Sequence, residues 1–261
     1  MKNLFEQHYL LQEGMYFADK DSTNNGVIYL SDLIKDFYWN MLVLKDDIKL
    51  DDKILNQIEI DFGKNKRSSC IYLFSNDFQY ADNSKFLQQH GYASAGRETW
   101  QVYDGRSITI NEEKELKLVR TQKDKEDFID VFVSAYGGEK SLEQPYGALP
   151  NTYVDCLRRS MDDTKKNHHF IVYNNQFPAS VATLCFEDGI GGLYNVGTKP
   201  AYRGRGFGLY VTQACIEQWK KLKGNSLFLQ TEIGSKVENW YKSLAFTEVF
   251  VGEFYVKEEG A

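Results

Sequence analysis

Basic charge, cysteine pairs and long apolar runs are all scarce in this chain of 261 residues. Its 31 Lys and Arg stand against 37 Asp and Glu, for a formal charge of −6. Non-specific nucleic-acid binding runs on basic surface, so the charge speaks against a nucleic-acid partner. There are four cysteines, Cys70, Cys156, Cys185 and Cys215, with no C-x-x-C pair among them. They read as reduced, buried thiols of a cytoplasmic protein. The four histidines, His8, His90, His168 and His169, have no metal-ligand spacing to a nearby Cys or acid, so no metal is expected. No stretch approaches the roughly 18 apolar residues of a membrane helix. Met1-Lys2-Asn3-Leu4-Phe5-Glu6 meets an acid before an apolar run can build, unlike a secretory signal. The remaining composition, 42% hydrophobic and 26% charged, is that of an ordinary globular protein with room for one large domain or two smaller ones.

Asp104-Gly105-Arg106 followed by the charged run Asn111–Glu115 marks a boundary, and the chain divides into 1–112 and 113–261. The second block opens with a strand at Leu116–Arg120. Thr121 caps a helix running to about Tyr136 and stopped by Gly137-Gly138, and Pro150-Asn151-Thr152 opens another through Met161. Strands follow at His169–Tyr173, at Ala179–Phe186 and, after Asp188-Gly189, up to Val196-Gly197-Thr198. A helix then begins at Phe207, with Lys220, Lys221 and Lys223 in its last turn and Gly224 at the C′ position. Leu227–Thr231 is a strand. Ser235 and Glu238 form a capping box, and Val249–Val256 closes the chain. Helices followed by a strand meander give an α+β layer structure. In the first block, Cys70–Phe74 reads as a buried strand, Asn83–His90 as a helix closed by Gly91, and Ser94–Tyr103 as a strand. Phe37, Tyr38 and Trp39 read as core.

Chemistry concentrates in Arg203-Gly204-Arg205-Gly206-Phe207-Gly208. A strand ends, glycines permit a tight turn, and a helix starts at once. Its first amides lack internal partners and carry the positive end of the dipole. The glycines let a ligand approach the backbone, and two guanidinium groups add full charge, so the bend suits a phosphate or diphosphate. No Lys-Ser or Lys-Thr follows as a P-loop needs, and the glycine spacing is wrong for a dinucleotide fingerprint.

This motif resembles that of the GNAT superfamily of acyl-CoA-dependent N-acetyltransferases, whose coenzyme A signature is Arg or Gln, two residues, Gly, one residue, then Gly or Ala. The lead-in Val196–Tyr202 is similar to the family's strand-to-loop entry. Tyr241-Lys242-Ser243-Leu244-Ala245-Phe246 resembles its Tyr, three residues, Gly-Phe ending, with Ala245 replacing Gly and with Gly234 and Ser235 where the family has Asn. The likeness covers roughly residues 116–256.

The resemblance implies a mixed, mostly antiparallel central sheet flanked by helices. It implies acetyl-CoA as co-substrate, bound by Val196, Gly197, Thr198, Arg203, Gly204, Arg205, Gly206, Phe207 and Gly208. Tyr241 is implied as the acid that protonates the departing thiolate, and the Val196 amide as the oxyanion donor. The acceptor is a primary amine, on a small molecule or a peptide. Relatives carry a carboxylate on the strand of Val196, whereas this chain shows Gly192 and Tyr194 on that side. Glu187, Glu232 or a water chain could take the amine's proton. The alternative is a non-catalytic acetyl-CoA sensor. Upstream, Phe86–Tyr92 and Glu98-Thr99-Trp100 echo Trp240–Phe246 and the closing strand, without any Arg/Gln-x-x-Gly-x-Gly element before residue 110. The first block is therefore read as a degenerate half that has lost its coenzyme site, two such domains standing in tandem. The whole is a monomer or homodimer.

Overall fold

The computed structural model describes residues 2–45, 48–107, 114–137 and 151–257. The predicted boundary run therefore lies partly outside the described residues, as do Gly138 and Pro150. In chain order the elements are α1 (Lys2–Gln12), β1 (Asp19–Ser22), β2 (Gly26–Leu30), β3 (Met41–Leu44), α2 (Asp52–Lys64), β4 (Cys70–Phe74), α3 (Tyr80–Gln89), β5 (Tyr92–Tyr103), β6 (Glu115–Leu118), α4 (Gln122–Tyr136), α5 (Asn151–Ser160), β7 (Asn167–Asn174), β8 (Phe177–Glu187), β9 (Ile190–Thr198), α6 (Phe207–Lys221), β10 (Ser226–Glu232), α7 (Lys236–Ser243) and β11 (Phe246–Lys257).

By their contacts these elements form two compact units. One takes the described residues of 1–9, 16–102 and 230–261, the other those of 10–15 and 103–229. The last helix and strand thus cluster with the first hundred residues.

In the first unit the strand order is β1-β2-β3-β4-β11-β5. β1–β2, β2–β3 and β11–β4 are antiparallel, and β3–β4 is parallel. β1, Asp-Lys-Asp-Ser, is exposed along its length, and such polar edges discourage further strand addition. α2 starts where the Asp51 carboxylate accepts from the Ile54 amide at 2.8 Å. It buries Leu55, Ile58 and Phe62 in a cluster with Ile28, Leu42, Ile71 and Leu87.

An aromatic layer includes Trp39, stacked on Tyr16 at 4.4 Å, and Trp100, stacked on Phe250 at 5.1 Å. Trp39 is core, as expected, while Phe37 and Tyr38 are half-buried against Phe254.

Within this layer Glu98 is buried. Its carboxylate accepts from the Tyr72 hydroxyl at 2.7 Å, the Trp100 indole at 3.1 Å and the Tyr38 hydroxyl at 2.9 Å. Burial raises its pKa above the usual carboxylate range despite these three donors. Glu98→Gln is therefore expected to keep or raise the thermal midpoint at pH 7. The amide oxygen still serves Tyr72 and Trp100, and the Tyr38 hydroxyl can turn to accept. Glu98→Ala takes the acceptor from the buried Tyr72 hydroxyl and is expected to cost about 1–3 kcal/mol in denaturant unfolding.

In the second unit the order is β10-β9-β8-β7-β6. β6–β7, β7–β8 and β8–β9 are antiparallel, and β9–β10 is parallel. The sheets are mixed and mostly antiparallel with helices against them, as the resemblance implies. α4 begins with a full capping box between Thr121 and Asp124 and buries Phe128, Val131, Phe132 and Ala135.

Two helix ends differ from expectation. At α6 the left-handed position is taken by Lys223, at φ +58°, and not by Gly224. Gly224 serves close packing instead, since a Cβ there would lie 1.9 Å from the Trp219 indole nitrogen. At α7 the Ser235 hydroxyl accepts from the Glu238 amide at 3.0 Å, but the Glu238 carboxylate reaches the Gly234 amide, one residue further back than a capping box requires. All four cysteines are free and buried.

Candidate functional site

β9 and the loop after it carry the predicted coenzyme residues. On β9, Tyr194 opposes Thr183 and Gly197 opposes Val181, so three steps on β9 match two on β8. The extra residue makes a bulge at Asn195, whose φ is +54°. Pairing with β10 is registered from Ile190 to Gly192, and β9 runs on to Thr198. The backbone groups of a strand can receive an extended ligand.

Three successive carbonyls at the end of β9 are held by side chains. The Tyr136 hydroxyl donates to Val196 O at 2.7 Å, Ser180 Oγ to Gly197 O at 2.9 Å, and Arg203 Nε to Thr198 O at 3.1 Å. A second arm of Arg203, Nη2, donates to Ala135 O at 3.1 Å, at the C-terminal end of α4 where a cation suits the dipole. Arg203 is thus an anchor for the strand–loop junction as well as a source of charge.

Gly197 has a steric reason. A Cβ there would approach the Ala135 Cβ to 2.8 Å and the Tyr136 ring to 3.0 Å. Sequence reasoning singled out Arg203 and Gly197 but not their partner, the last turn of α4. The meeting of that helix with β9 is a tertiary fact that no local pattern encodes.

The loop then turns through Gly204 at φ +72° and Gly206 at φ +77°, the latter being the N-cap of α6. Gly206 has no side chain with which to cap this helix, and the Tyr210 amide closes the first turn on Gly206 O. The amides of Phe207, Gly208 and Leu209 are the donors a helix start leaves over. Residues 203–206 are exposed. Phe207 is 3% exposed and works from below, with the Lys114 ammonium 4.6 Å and the Arg205 guanidinium 5.5 Å from its ring centre. Arg205 also lies 5.6 Å from the Tyr202 ring. Stacking holds these cations beside the helix start, and Lys114 is a member the sequence did not suggest.

No carboxylate stands on the β9 face at residues 192 and 194. The Tyr194 ring lies over Gly192, where a Cβ would come within 2.4 Å of its hydroxyl. Glu187, at the end of β8, is half-exposed, with Lys166 Nζ 3.9 Å away. Tyr241, in the first unit, is 5% exposed on α7, its ring 4.7 Å from Trp240 and 5.5 Å from Phe246. Ala245, where the family has Gly, sits at φ +67°, a backbone that glycine adopts more readily. Among the described residues no three His, Cys, Asp or Glu side chains come together to hold a metal, and no helix is long and apolar enough to cross a membrane.

Residues 172–255 match the family described as FR47-like protein. No curated protein sequence matches the chain. Among solved structures, the chain is similar to a GCN5-related N-acetyltransferase from Kribbella flavida at 15% identity and a TM-score of 0.68, over 98% of this chain and 93% of that one. It is also similar to a GCN5-related N-acetyltransferase from Sphaerobacter thermophilus at 12% identity and a TM-score of 0.65, over 91% and 82%. A tandem GNAT protein from the clavulanic acid biosynthesis pathway aligns at 11% identity with a TM-score of 0.59, over 91% and 80%. The segment that carries the loop thus matches that family, and the fold is that of the GCN5-related N-acetyltransferase structures.

Proposed function

We propose that this protein is an N-acetyltransferase moving the acetyl group of acetyl-CoA to a primary amine by direct attack in a ternary complex. The observation that carries the reading is the start of α6 behind two left-handed glycines, with Lys114, Arg203 and Arg205 around it and the bulged end of β9 before it. In this reading the amides of 204–208 hold the diphosphate, and Val196–Thr198 hold the pantetheine arm. The Val196 amide donates to the carbonyl oxygen as it gains charge. The amine nitrogen bonds to the thioester carbon, the C–S bond breaks, and Tyr241 gives its proton to the leaving thiolate. The attacking amine loses its own proton to water, since Gly192 and Tyr194 offer no carboxylate. We read residues 113–261 as the repeat that carries the coenzyme site and residues 1–112 as a repeat that has lost it. The order β3-α2-β4-α3-β5 parallels β9-α6-β10-α7-β11. The start of α2, unlike that of α6, is filled by its own Asp51 carboxylate, with Asp52 next to it, which repels an anion.

A coenzyme-binding sensor is the second reading, favoured by the missing carboxylate at 192 and 194. Release of free thiol from acetyl-CoA across a panel of amines separates the two. The enzyme releases thiol with at least one amine, and Gly206→Val abolishes both release and binding because a β-branched residue resists φ +77°. Binding without release across a broad panel of primary amines establishes the sensor. No binding by the folded wild-type protein removes both readings.

A further inference from the structure

The geometry points to Tyr136 as a positioning residue for acyl transfer: its hydroxyl, at the end of α4, sets the Val196 carbonyl and with it the bulged run of β9 along which the pantetheine arm lies. The inference rests on the proposed coenzyme reading and deepens it. A bulge breaks the ladder, so the backbone at Asn195–Val196 is not fixed by strand pairing alone. A non-glycine residue at positive φ persists only where its surroundings over-determine it. Two side chains do so here. On one side Asn195 Nδ2 donates to Thr183 Oγ1 at 3.3 Å, and that hydroxyl is 2.8 Å from His169 Nδ1. On the other, Tyr136 donates to Val196 O at 2.7 Å.

The Tyr136 contact is not an isolated one. The same turn of α4 presses Ala135 and the Tyr136 ring against Gly197, and it takes Arg203 Nη2 on Ala135 O. One helical turn therefore fixes both halves of the coenzyme track, the strand that would meet the arm and the arginine that opens the diphosphate loop. Burial holds the Tyr136 hydroxyl protonated, so it remains a donor throughout the working pH range. A free Val196 peptide would rock about its φ and ψ, and a misplaced thioester costs rate out of proportion to the distance moved.

Tyr136→Phe tests this with one oxygen, because the ring that packs on Gly197 stays. Two probes are titrated calorimetrically, acetyl-CoA and 3′-phosphoadenosine 5′-diphosphate, which has the diphosphate but no pantetheine arm. The positioning role predicts about tenfold weaker binding of acetyl-CoA, some 1.4 kcal/mol, with nucleotide binding unchanged. It also predicts a further fall of about tenfold in kcat with the best amine. Equal weakening of both probes would mean a loosened loop and would overturn the assignment. So would unchanged or tighter acetyl-CoA binding, which would make Tyr136 a competitor for the Val196 carbonyl.

If the wild-type protein binds neither probe, the coenzyme reading has failed. The clamp itself is then judged by amide exchange of the free protein. About tenfold faster exchange confined to residues 194–198 supports it, and unchanged exchange there removes it. Val133→Ala, on the exposed face of α4, should leave every readout unchanged.

Discussion

Tyr241→Phe is expected to bind acetyl-CoA as the wild type does and to turn over about a hundredfold more slowly, the usual contribution of one acid–base group. The substitution is selective for structural reasons. Tyr241 is 5% exposed, and its ring sits between Trp240 and Phe246, so the phenyl group preserves the packing of α7. What is removed is the O–H. A thiolate leaving without a proton source must be expelled as an anion, and that penalty falls on the C–S cleavage step. Calorimetry with acetyl-CoA, thermal unfolding and steady-state kinetics on the same preparation separate the three quantities. A variant with full turnover would take Tyr241 out of the mechanism. A variant that loses binding together with the thermal midpoint would make the residue a packing element of α7.

The parts of this site that were legible in the sequence are local ones. Gly204 and Gly206 stand out because a tight turn into a helix favours glycine, and the structure gives both a positive φ. Thr121 announced α4 because a capping hydroxyl acts within a few residues of its own position. The order of elements from β6 to β11 followed from apolar runs and turn residues.

What escaped the sequence depends on contacts between distant residues. β1, Asp-Lys-Asp-Ser, has no strand propensity and is extended through its pairing with β2. Nothing in Tyr136 distinguishes a residue that clamps Val196 from one that ends a helix stripe. Gly224 looked like a C-cap and is a seat for Trp219, while Lys223 carries the left-handed turn. Nor does chain order reveal that α7 and β11 cluster with the first hundred residues. In each case the residue's neighbours in space, not in sequence, determine its conformation.

Acid is expected to unfold this protein early, and its buried histidines set the window: His8 and His169 most strongly, with the pKa of His168 also lowered by burial. His8 is 5% exposed, with the rings of Phe17, Trp39 and Trp100 within 6.2 Å, and burial lowers its pKa to about 3. His169 is 3% exposed, beside Phe128 and Thr183, and burial lowers its pKa to about 4. Both are neutral in the fold, whereas a histidine in the unfolded chain takes its proton near pH 6.5. Stability is therefore full above pH 6.5 and falls as acid protonates the unfolded state. Each histidine removes about 1.4 kcal/mol per pH unit, so the pair removes roughly 4 kcal/mol by pH 5. That is a large part of the 5–15 kcal/mol typical of a folded protein.

Glu98 works in the opposite direction. Burial raises its pKa, so the folded state takes a proton first, and the Glu98→Gln variant should show the steeper fall. Burial also pushes the Glu238 carboxyl up, but the Lys242 ammonium and the Gly234 amide outweigh it and hold it below its ordinary value of 4.5, so its loss comes at lower pH. Urea unfolding at pH 8, 6.5 and 5 tests the window. His8→Phe, which keeps an aromatic ring among aromatic rings, should make the slope between pH 6.5 and 5 clearly shallower, by about 1.4 kcal/mol per pH unit. Stability that stays flat across that interval would mean that both imidazoles are hydrated or ion-paired in solution, and would contradict the buried, neutral state described for them.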